Sequence, residues 1–273
     1  MSETGILTEL APELGHTLHW NNSSNVLCNY MQRQEYLNMI LRNQAIIPRY
    51  VIEPVGYLNL GSIKKICFPM TCFCDIPFSR VGTHMSRYGE YGIGLDKVAV
   101  LENYRIQPIH YMNESSPLTD DFRRAFMTFY NSESRVDESA EVLLDYLLST
   151  IVYMKPIWGQ EKNKDGNLEN YVYQDECEWR FIPADNFPSV LGPLILPQRE
   201  TSDNARDVFS QALARHEECW LKFKWKDVRY LMVPDEKAVK ETIATIEDLD
   251  LEDDDKHLLI SKIEISRRFS DNM

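Results

Sequence analysis

Two glutamates and an arginine at alternate positions are the residues of this chain best suited to chemistry. They are Glu176, Glu178 and Arg180, within the run Tyr-Val-Tyr-Gln-Asp-Glu-Cys-Glu-Trp-Arg-Phe-Ile at 171–182. If this run is a β-strand, its period of two places all three charges on one face. Glutamate has a poor strand propensity and like charges two residues apart repel, so such a strand needs either contacts that neutralise the charges or a function that uses them. One such function is binding a substrate that becomes cationic.

A structural explanation of the same charges stands beside the catalytic one. Exposed edge strands often carry charged side chains, which block pairing with another sheet. Arg180 could simply pair with the two carboxylates, since many charge clusters are structural ion pairs. The segment by itself does not decide between the two explanations.

A second segment, residues 83–95, combines an imidazole, aromatic side chains and three glycines. His84 and Tyr88 are four residues apart, so in a helix they lie on one face. The glycines that follow permit a flat ligand or another stretch of backbone to come close. This composition is typical of a binding pocket, and a packed aromatic corner with a hydrogen-bonded His84 has the same composition.

The elements that must position these residues alternate between strands and helices along the chain. Apolar runs and period-two patterns predict strands at 26–31, 66–74, 91–95, 107–111, 171–182, 219–226, 229–233 and 257–265. Helical spacing predicts helices at 33–43, 77–88, 138–154, 203–218 and 236–246, with another beginning near Thr119. The close strands at 221–225 and 230–233 could form a hairpin.

This pattern predicts an α+β fold, with a central mixed β-sheet flanked by helices. We expect a polar N-terminal extension at 1–24 and a single domain at 25–273, with a helical insertion at about 119–156. The length of 273 residues and the hydrophobic content of 44% are sufficient for a sizeable core.

The composition narrows the function classes. A net charge of −13, from 29 basic and 42 acidic residues, argues against a broad nucleic-acid footprint, although a local basic groove remains open. Seven acids among residues 247–255 are typical of a solvated loop and, less often, of a docking site for a basic partner. The six cysteines include no C-x-x-C pair, so we expect reduced thiols and no zinc site.

Membrane association is not expected from the sequence. No apolar run approaches the ~20 residues that cross a bilayer. The N-terminus lacks the basic-then-apolar order of a signal peptide. We therefore expect a cytoplasmic protein.

Several motifs together resemble the AbiGi family of abortive phage infection proteins. The similarity spans roughly residues 25–245, and its most specific part is the block from His84 to Leu95. The other motifs are Met-Thr-Cys-Phe-Cys-Asp-Ile-Pro at 70–77, Gln-Pro-Ile-His-Tyr at 107–111, Glu-Cys-Glu-Trp-Arg at 176–180 and Val-Arg-Tyr-Leu-Met-Val-Pro at 228–234. The resemblance implies a component of an antiviral defence or toxin–antitoxin locus, with a cognate toxin, antitoxin or chaperone as partner.

A more distant resemblance is to ADP-ribosyltransferases, including the DarT-type enzymes that modify nucleic acid. Residues 40–50 and the Glu-x-Glu at 176–178 occupy comparable places in chain order. The Ser-Thr-Ser strand motif of those enzymes is missing, and Thr-Cys-Phe-Cys at 71–74 is only a loose substitute. This resemblance implies an ADP-ribosyltransferase-like fold and a toxic effector that consumes NAD. The acceptor, whether RNA, DNA or protein, stays open, as does hydrolysis in place of transfer.

The chemistry of NAD assigns a role to each candidate residue. Breaking the nicotinamide–ribose bond produces an oxocarbenium-like transition state, which a neighbouring carboxylate stabilises. Glu178 is assigned this role, and Glu176 would orient or deprotonate the acceptor. Arg180 would give structural support by fixing both carboxylates. The cofactor-binding candidates are Tyr30, Tyr88 and Tyr91 for stacking on nicotinamide, and Arg33, Arg49 and His84 for the pyrophosphate. No metal is expected.

The alternative function is a non-catalytic antitoxin or binding module that neutralises a cognate toxin. The family resemblance and the acidic run at 247–255 motivate it. A nuclease ranks lower, because the sequence contains no acidic metal cluster at recognisable spacing and no basic tract.

Overall fold

Strands and helices alternate along the chain, as the sequence pattern predicts. The computed structural model describes residues 23–130, 138–162, 166–196 and 202–270. The described strands are β1 (Val26–Met31), β2 (Ala45–Ile46), β3 (Arg49–Pro54), β4 (Lys65–Cys74), β5 (Tyr91–Asp96), β6 (Ile106–Pro108), β7 (His110–Met112), β8 (Met154–Pro156), β9 (Trp158–Lys162), β10 (Leu168–Val172), β11 (Glu178–Phe181), β12 (Leu221–Lys222), β13 (Val228–Val233) and β14 (Ile263–Ile265). The described helices are α1 (Gln34–Asn43), α2 (Gly82–Tyr88), α3 (Lys97–Asn103), α4 (Pro117–Tyr130), α5 (Glu138–Ile151), α6 (Asp203–Leu213), α7 (Glu236–Glu247), α8 (Asp253–Ile260) and α9 (Arg267–Ser270).

The chain divides into two compact units, each assembled from separate stretches of sequence. Unit 1 comprises Met1–Gln34, Asp75–Arg105 and Lys224–Met273, and unit 2 comprises Glu35–Cys74 and Ile106–Phe223. The predicted extension at 1–24 lies outside the described residues except for its last two positions. The single domain with an insertion at about 119–156 stays a prediction, and helices α4 and α5 lie within that stretch.

Unit 1 contains a sheet in the order β14-β13-β5-β1. β1 pairs with β5 and β5 with β13 in antiparallel fashion, whereas β13 and β14 are parallel, so the sheet is mixed. Its strands are rich in apolar residues that are fully buried, including Leu27, Ile93 and Leu231. α3 begins where the Asp96 carboxylate accepts a hydrogen bond from the Ala99 amide, which is the usual satisfaction of a free N–H at a helix start.

Unit 2 is built on the antiparallel strands β3, β4, β11 and β6. β4 pairs with both β3 and β11, and β11 also pairs with β6. The described part of the unit also contains three smaller strand pairs: the antiparallel hairpin β9–β10, antiparallel β2–β12 and parallel β7–β8. Helices α4 and α5 bury Phe122, Phe126, Leu147 and Ile151 in the same apolar core as Phe68 of β4.

The predicted α+β class, with a mixed sheet and helices, is confirmed. No helix within the described ranges combines the length and the apolar character that crossing a membrane requires.

Several predicted elements are wrong in part. The strand predicted at 219–226 is a strand only at Leu221–Lys222, between 3-10 helices at Glu217–Cys219 and Trp225–Asp227. The last strand, predicted at 257–265, is helix α8 up to Ile260 and a strand only at Ile263–Ile265. The acids at 253–255 occupy the first turn of α8, where negative charge is favourable beside the helix N-terminus. The hairpin between 221–225 and 230–233 does not form, because β12 pairs with β2 and β13 with β5.

Candidate functional site

The charged run at 171–182 is not one continuous strand. β10 ends at Val172, a 3-10 helix spans Tyr173–Glu176, and Cys177 adopts the left-handed conformation with φ 44° before β11 begins. The predicted common strand face is therefore wrong for Glu176. Glu178 and Arg180, two residues apart in β11, keep the predicted relation.

Strand β11 holds Glu178 and Arg180 between two other strands. Arg180 lies opposite Cys72 of β4 and opposite Gln107 of β6, so it is in the interior of the sheet and not at its edge. The explanation of these charges as protection of an exposed edge strand therefore does not apply. The Glu178 amide donates a hydrogen bond to the Tyr111 hydroxyl (2.8 Å).

Arg180 is fully buried, and its guanidinium is satisfied on three sides. Its Nε donates to Glu178 Oε1 (2.6 Å), one terminal nitrogen donates to Glu53 Oε2 (3.0 Å) and the other donates to the Val152 carbonyl (2.7 Å). A buried guanidinium is stable only with such complete pairing. Glu53 comes from β3, so the guanidinium connects β3 and β11 with the chain just after α5.

Lys155 of β8 contacts the carboxylates of both Glu176 and Glu178. Its Nζ donates to Glu176 Oε2 (2.6 Å) and to Glu178 Oε2 (2.9 Å), and it lies 4.9 Å from the centre of the Tyr173 ring. The ammonium therefore connects the 3-10 helix to β11. The result is a buried charge network of three carboxylates and two cations, whose members are Glu53, Glu176, Glu178, Lys155 and Arg180.

The electrostatics of the network favour its charged forms. Burial by itself would raise the pKa of Glu178, but the positive charges of Arg180 and Lys155 outweigh it and lower that pKa to about 2. Burial likewise opposes the charge on Lys155, yet the carboxylates of Glu178, Glu53 and Glu176 raise its pKa well above the ordinary value. At neutral pH, Glu178 is a carboxylate and Lys155 an ammonium.

The sequence interpretation missed Lys155 and Glu53, although both left a signal. Each is a lone charge inside an apolar stretch, Val-Tyr-Met-Lys-Pro-Ile-Trp at 152–158 and Tyr-Val-Ile-Glu-Pro-Val at 50–55. Because an isolated charge is rarely buried without a partner, such a position predicts an opposite charge elsewhere in the fold. The sequence does not show which one.

The chemistry open to Glu178 is limited by its contacts. Both of its oxygens accept hydrogen bonds from cations, and only 6% of the residue is exposed. Glu176 is buried to a similar degree. The catalytic roles of Glu178 and Glu176 and the supporting role of Arg180 stay predictions. Among the described residues, no three His, Cys, Asp or Glu side chains are grouped so as to hold a metal ion.

The aromatic candidates form a cluster in unit 1. The rings of Tyr30 and His84 are 5.6 Å apart in an edge-to-face arrangement, and those of His84 and Tyr88 are 4.5 Å apart. His84 and Tyr88 lie on α2, as their spacing of four predicts, and Tyr30 is on β1. All three are half-buried.

The first glycine after this cluster, Gly89, allows a neighbouring stretch of backbone to come close. Gly89 has φ +116°, and a Cβ there would lie 2.1 Å from the carbonyl oxygen of Met31. The sequence predicts that these glycines permit a close approach. At Gly89, the group that comes close is the backbone of β1.

The remaining cofactor candidates are more dispersed. Tyr91 is half-buried in β5, opposite Met31, and Arg33 is exposed between β1 and α1. Arg49 is exposed at the start of β3 in unit 2. Unit 1 therefore contains Tyr30, Arg33, His84, Tyr88 and Tyr91, and unit 2 contains Arg49, Glu176, Glu178 and Arg180.

Comparison with known proteins identifies the family. Residues 44–234 match the model of a family described as "Putative abortive phage resistance protein AbiGi, antitoxin". The "Abortive phage resistance protein AbiGi" of Lactococcus lactis subsp. cremoris is 30% identical over 207 residues, which are 69% of this chain and 82% of that protein. The chain therefore belongs to the AbiGi family of abortive phage resistance proteins, as its motifs indicated. No solved structure matches the chain.

Proposed function

We propose that this chain is the antitoxin of an abortive phage resistance system and that it neutralises a cognate toxin by binding it. The description of the family, which contains the word antitoxin, supports this function. The observation that carries the proposal is the state of Glu178, the best catalytic candidate in the sequence. It is buried with both oxygens engaged by Arg180 and Lys155.

This state suits a structural group better than a catalytic one. A carboxylate with a pKa of about 2 is a weak base at neutral pH, whereas general bases work best with a pKa near the operating pH. A group that stabilises an oxocarbenium-like transition state must face the sugar. Here the oxygens face two protein cations instead.

Co-expression with the toxin tests the proposal. The probe is the protein encoded beside this chain in its locus, which must arrest growth when expressed by itself. We expect the AbiGi-family chain to be harmless by itself and to restore growth on co-expression. We also expect Glu176→Gln and Glu178→Gln to restore growth, at a temperature where circular dichroism shows both variants folded. Growth arrest by this chain itself, or rescue lost in both folded variants, contradicts the proposal.

A second candidate is an ADP-ribosyltransferase-like toxic effector that consumes NAD in the cytoplasm. The cluster of Tyr30, His84 and Tyr88 favours it, because stacked rings and an imidazole are suited to a nicotinamide and a phosphate. The sequence assigns Glu178 to the ribose, Glu176 to the acceptor, and Tyr91, Arg33 and Arg49 to NAD binding. Both carboxylates would first have to exchange their contacts with Lys155.

Nicotinamide release from NAD distinguishes the two candidates. The purified chain is incubated with labelled NAD and cell extract, beside a known transferase as positive control. Release of nicotinamide or labelling of RNA, DNA or protein that disappears in His84→Ala favours the transferase. An inactive wild-type chain in an assay where the control enzyme works leaves the antitoxin as the function.

A further inference from the structure

Helix α5 in unit 2 exposes an apolar row and an acidic row side by side. Val142 and Tyr146 are 65% and 63% exposed, and Glu141 and Asp145 are exposed on the same outward side. Each pair is four residues apart, so each forms a row along the helix. The opposite side buries Leu147 and Ile151 in the core.

Glu141 and Asp145 of α5 have no cationic partner among the described residues. Neither Glu141 nor Asp145 forms a described ion pair. On α4, by contrast, the acids Asp120 and Asp121 pair with Arg123 and Arg124 of the same helix. Among the described residues, this surface of α5 therefore carries negative charge with no ion-pair partner beside its exposed apolar side chains.

Both features of this surface are unfavourable in the free chain. Two like charges at a spacing of four on a helix repel each other and destabilise it. Exposed apolar side chains in a contiguous row leave hydrophobic surface in water, which is characteristic of binding surfaces. A partner that covers the apolar row and brings positive charge to the acidic row removes both costs.

We propose that this face of α5, formed by Glu141, Val142, Asp145 and Tyr146, is the docking surface for the toxin. The proposal rests on the antitoxin function proposed above and names the contact that performs it. The occupant is a segment of the toxin with apolar side chains flanked by Lys or Arg, because that chemistry complements the two rows. Tyr146 is the central anchor, since a tyrosine contributes large contact area at low entropic cost.

Affinity measurements on matched variants test the surface. Binding of the purified toxin is measured by calorimetry for the wild-type chain, Tyr146→Ala and the double variant Glu141→Lys with Asp145→Lys. We expect the affinity to fall about tenfold or more for each variant. We also expect the wild-type affinity to weaken as salt rises, and the double variant to lose most of that dependence.

The matched control places the same charge change elsewhere on the surface. Glu102 of α3 and Glu114, which follows β7, are exposed and form no described ion pair. The double variant Glu102→Lys with Glu114→Lys should bind the toxin within about twofold of wild type. Circular dichroism and thermal unfolding establish that all variants are folded.

The outcomes separate this inference from the function it rests on. If the wild-type chain neither binds nor neutralises the toxin, the proposed function fails. If the wild-type chain binds and the folded α5 variants bind equally well, only the docking surface is wrong. Loss of affinity in the Glu102 and Glu114 control to the same extent also overturns the surface, because the toxin would then be attracted by the negative charge of the chain in general. Self-association that Tyr146→Ala abolishes would identify a second copy as the occupant instead.

Discussion

At the residue scale, the decisive feature is that every charge in the network on β11 has an opposite charge in contact. Arg180 contacts Glu178 and Glu53, and Lys155 contacts Glu178 and Glu176. Removing one member of a buried pair leaves an uncompensated charge, which costs about 3–5 kcal/mol. The network therefore specifies how β3, β8 and β11 meet in unit 2.

The network predicts a loss of stability in acid. The pKa of Glu178 lies at about 2 in the folded chain, below its ordinary value of 4.5, so its contribution is present above pH 4.5 and is lost as pH falls through 2. That contribution is about 3 kcal/mol. We expect Glu178→Gln to be less stable at neutral pH and to lose much of the decline in unfolding free energy that the wild type shows across this range. Urea unfolding of the variant and the wild type at a series of pH values measures the stability at neutral pH and its decline in acid.

Asp175→Asn is the matched control for this prediction. Asp175 is exposed on the 3-10 helix Tyr173–Glu176, which precedes β11, and forms no described ion pair. Its variant should keep the wild-type stability and pH dependence. Equal stability of Glu178→Gln and wild type at neutral pH would show that the network contributes little to the fold.

At the element scale, the connection between α2 and β5 depends on one residue. Gly89 ends α2 with φ +116°, a conformation that L side chains rarely adopt, and it lies against the Met31 carbonyl of β1. The position therefore requires glycine for both conformation and space. It sets the approach of α2, with His84 and Tyr88, to β1.

Substituting this glycine should destabilise unit 1 strongly. We expect Gly89→Ala to lower the free energy of unfolding by at least about 2 kcal/mol, because the new Cβ meets backbone that has little freedom to move. Thermal unfolding followed by circular dichroism measures the change. Gly56→Ala is the comparison, since a Cβ at Gly56 has no heavy atom within 4 Å. A Gly89→Ala chain as stable as Gly56→Ala would refute the proposed constraint.

Element types were predictable where the pattern was long and uninterrupted. β4 and α7 carry such patterns, and both form close to the predicted bounds. The segments at 171–182 and 257–265 are shorter patterns with charges inside them, and each is divided in the structure between a helical turn and a strand. Local propensity is nearly balanced in such segments, so tertiary contacts such as those of Lys155 with Glu176 decide.

At the scale of the whole molecule, each unit joins residues that are far apart in sequence. In unit 1, the buried ammonium of Lys97 at the start of α3 pairs with Asp75 and also donates to the Ser23 hydroxyl (3.0 Å). Burial raises the pKa of Asp75, and the pairing with Lys97 opposes that rise. The pair thus brings three distant stretches of chain together.

A double-mutant cycle measures this connection. We expect Asp75→Asn and Lys97→Met each to destabilise the chain by about 3 kcal/mol, since each leaves its former partner buried without an opposite charge. The double variant should be clearly more stable than the sum of the two losses predicts. Urea unfolding of the four proteins gives the coupling energy, and strict additivity would show that the two side chains act independently.

The sequence by itself determined the family and the α+β class, because motifs and periodic apolar patterns are local properties. It identified Glu176, Glu178 and Arg180 as an unusual group, and His84 and Tyr88 as neighbours on one helix face. Only the tertiary structure showed that Lys155 and Glu53 neutralise that group and occupy its oxygens. Pairing of charges across β3, β8 and β11 depends on long-range contacts, and a single sequence contains no record of which distant residues meet.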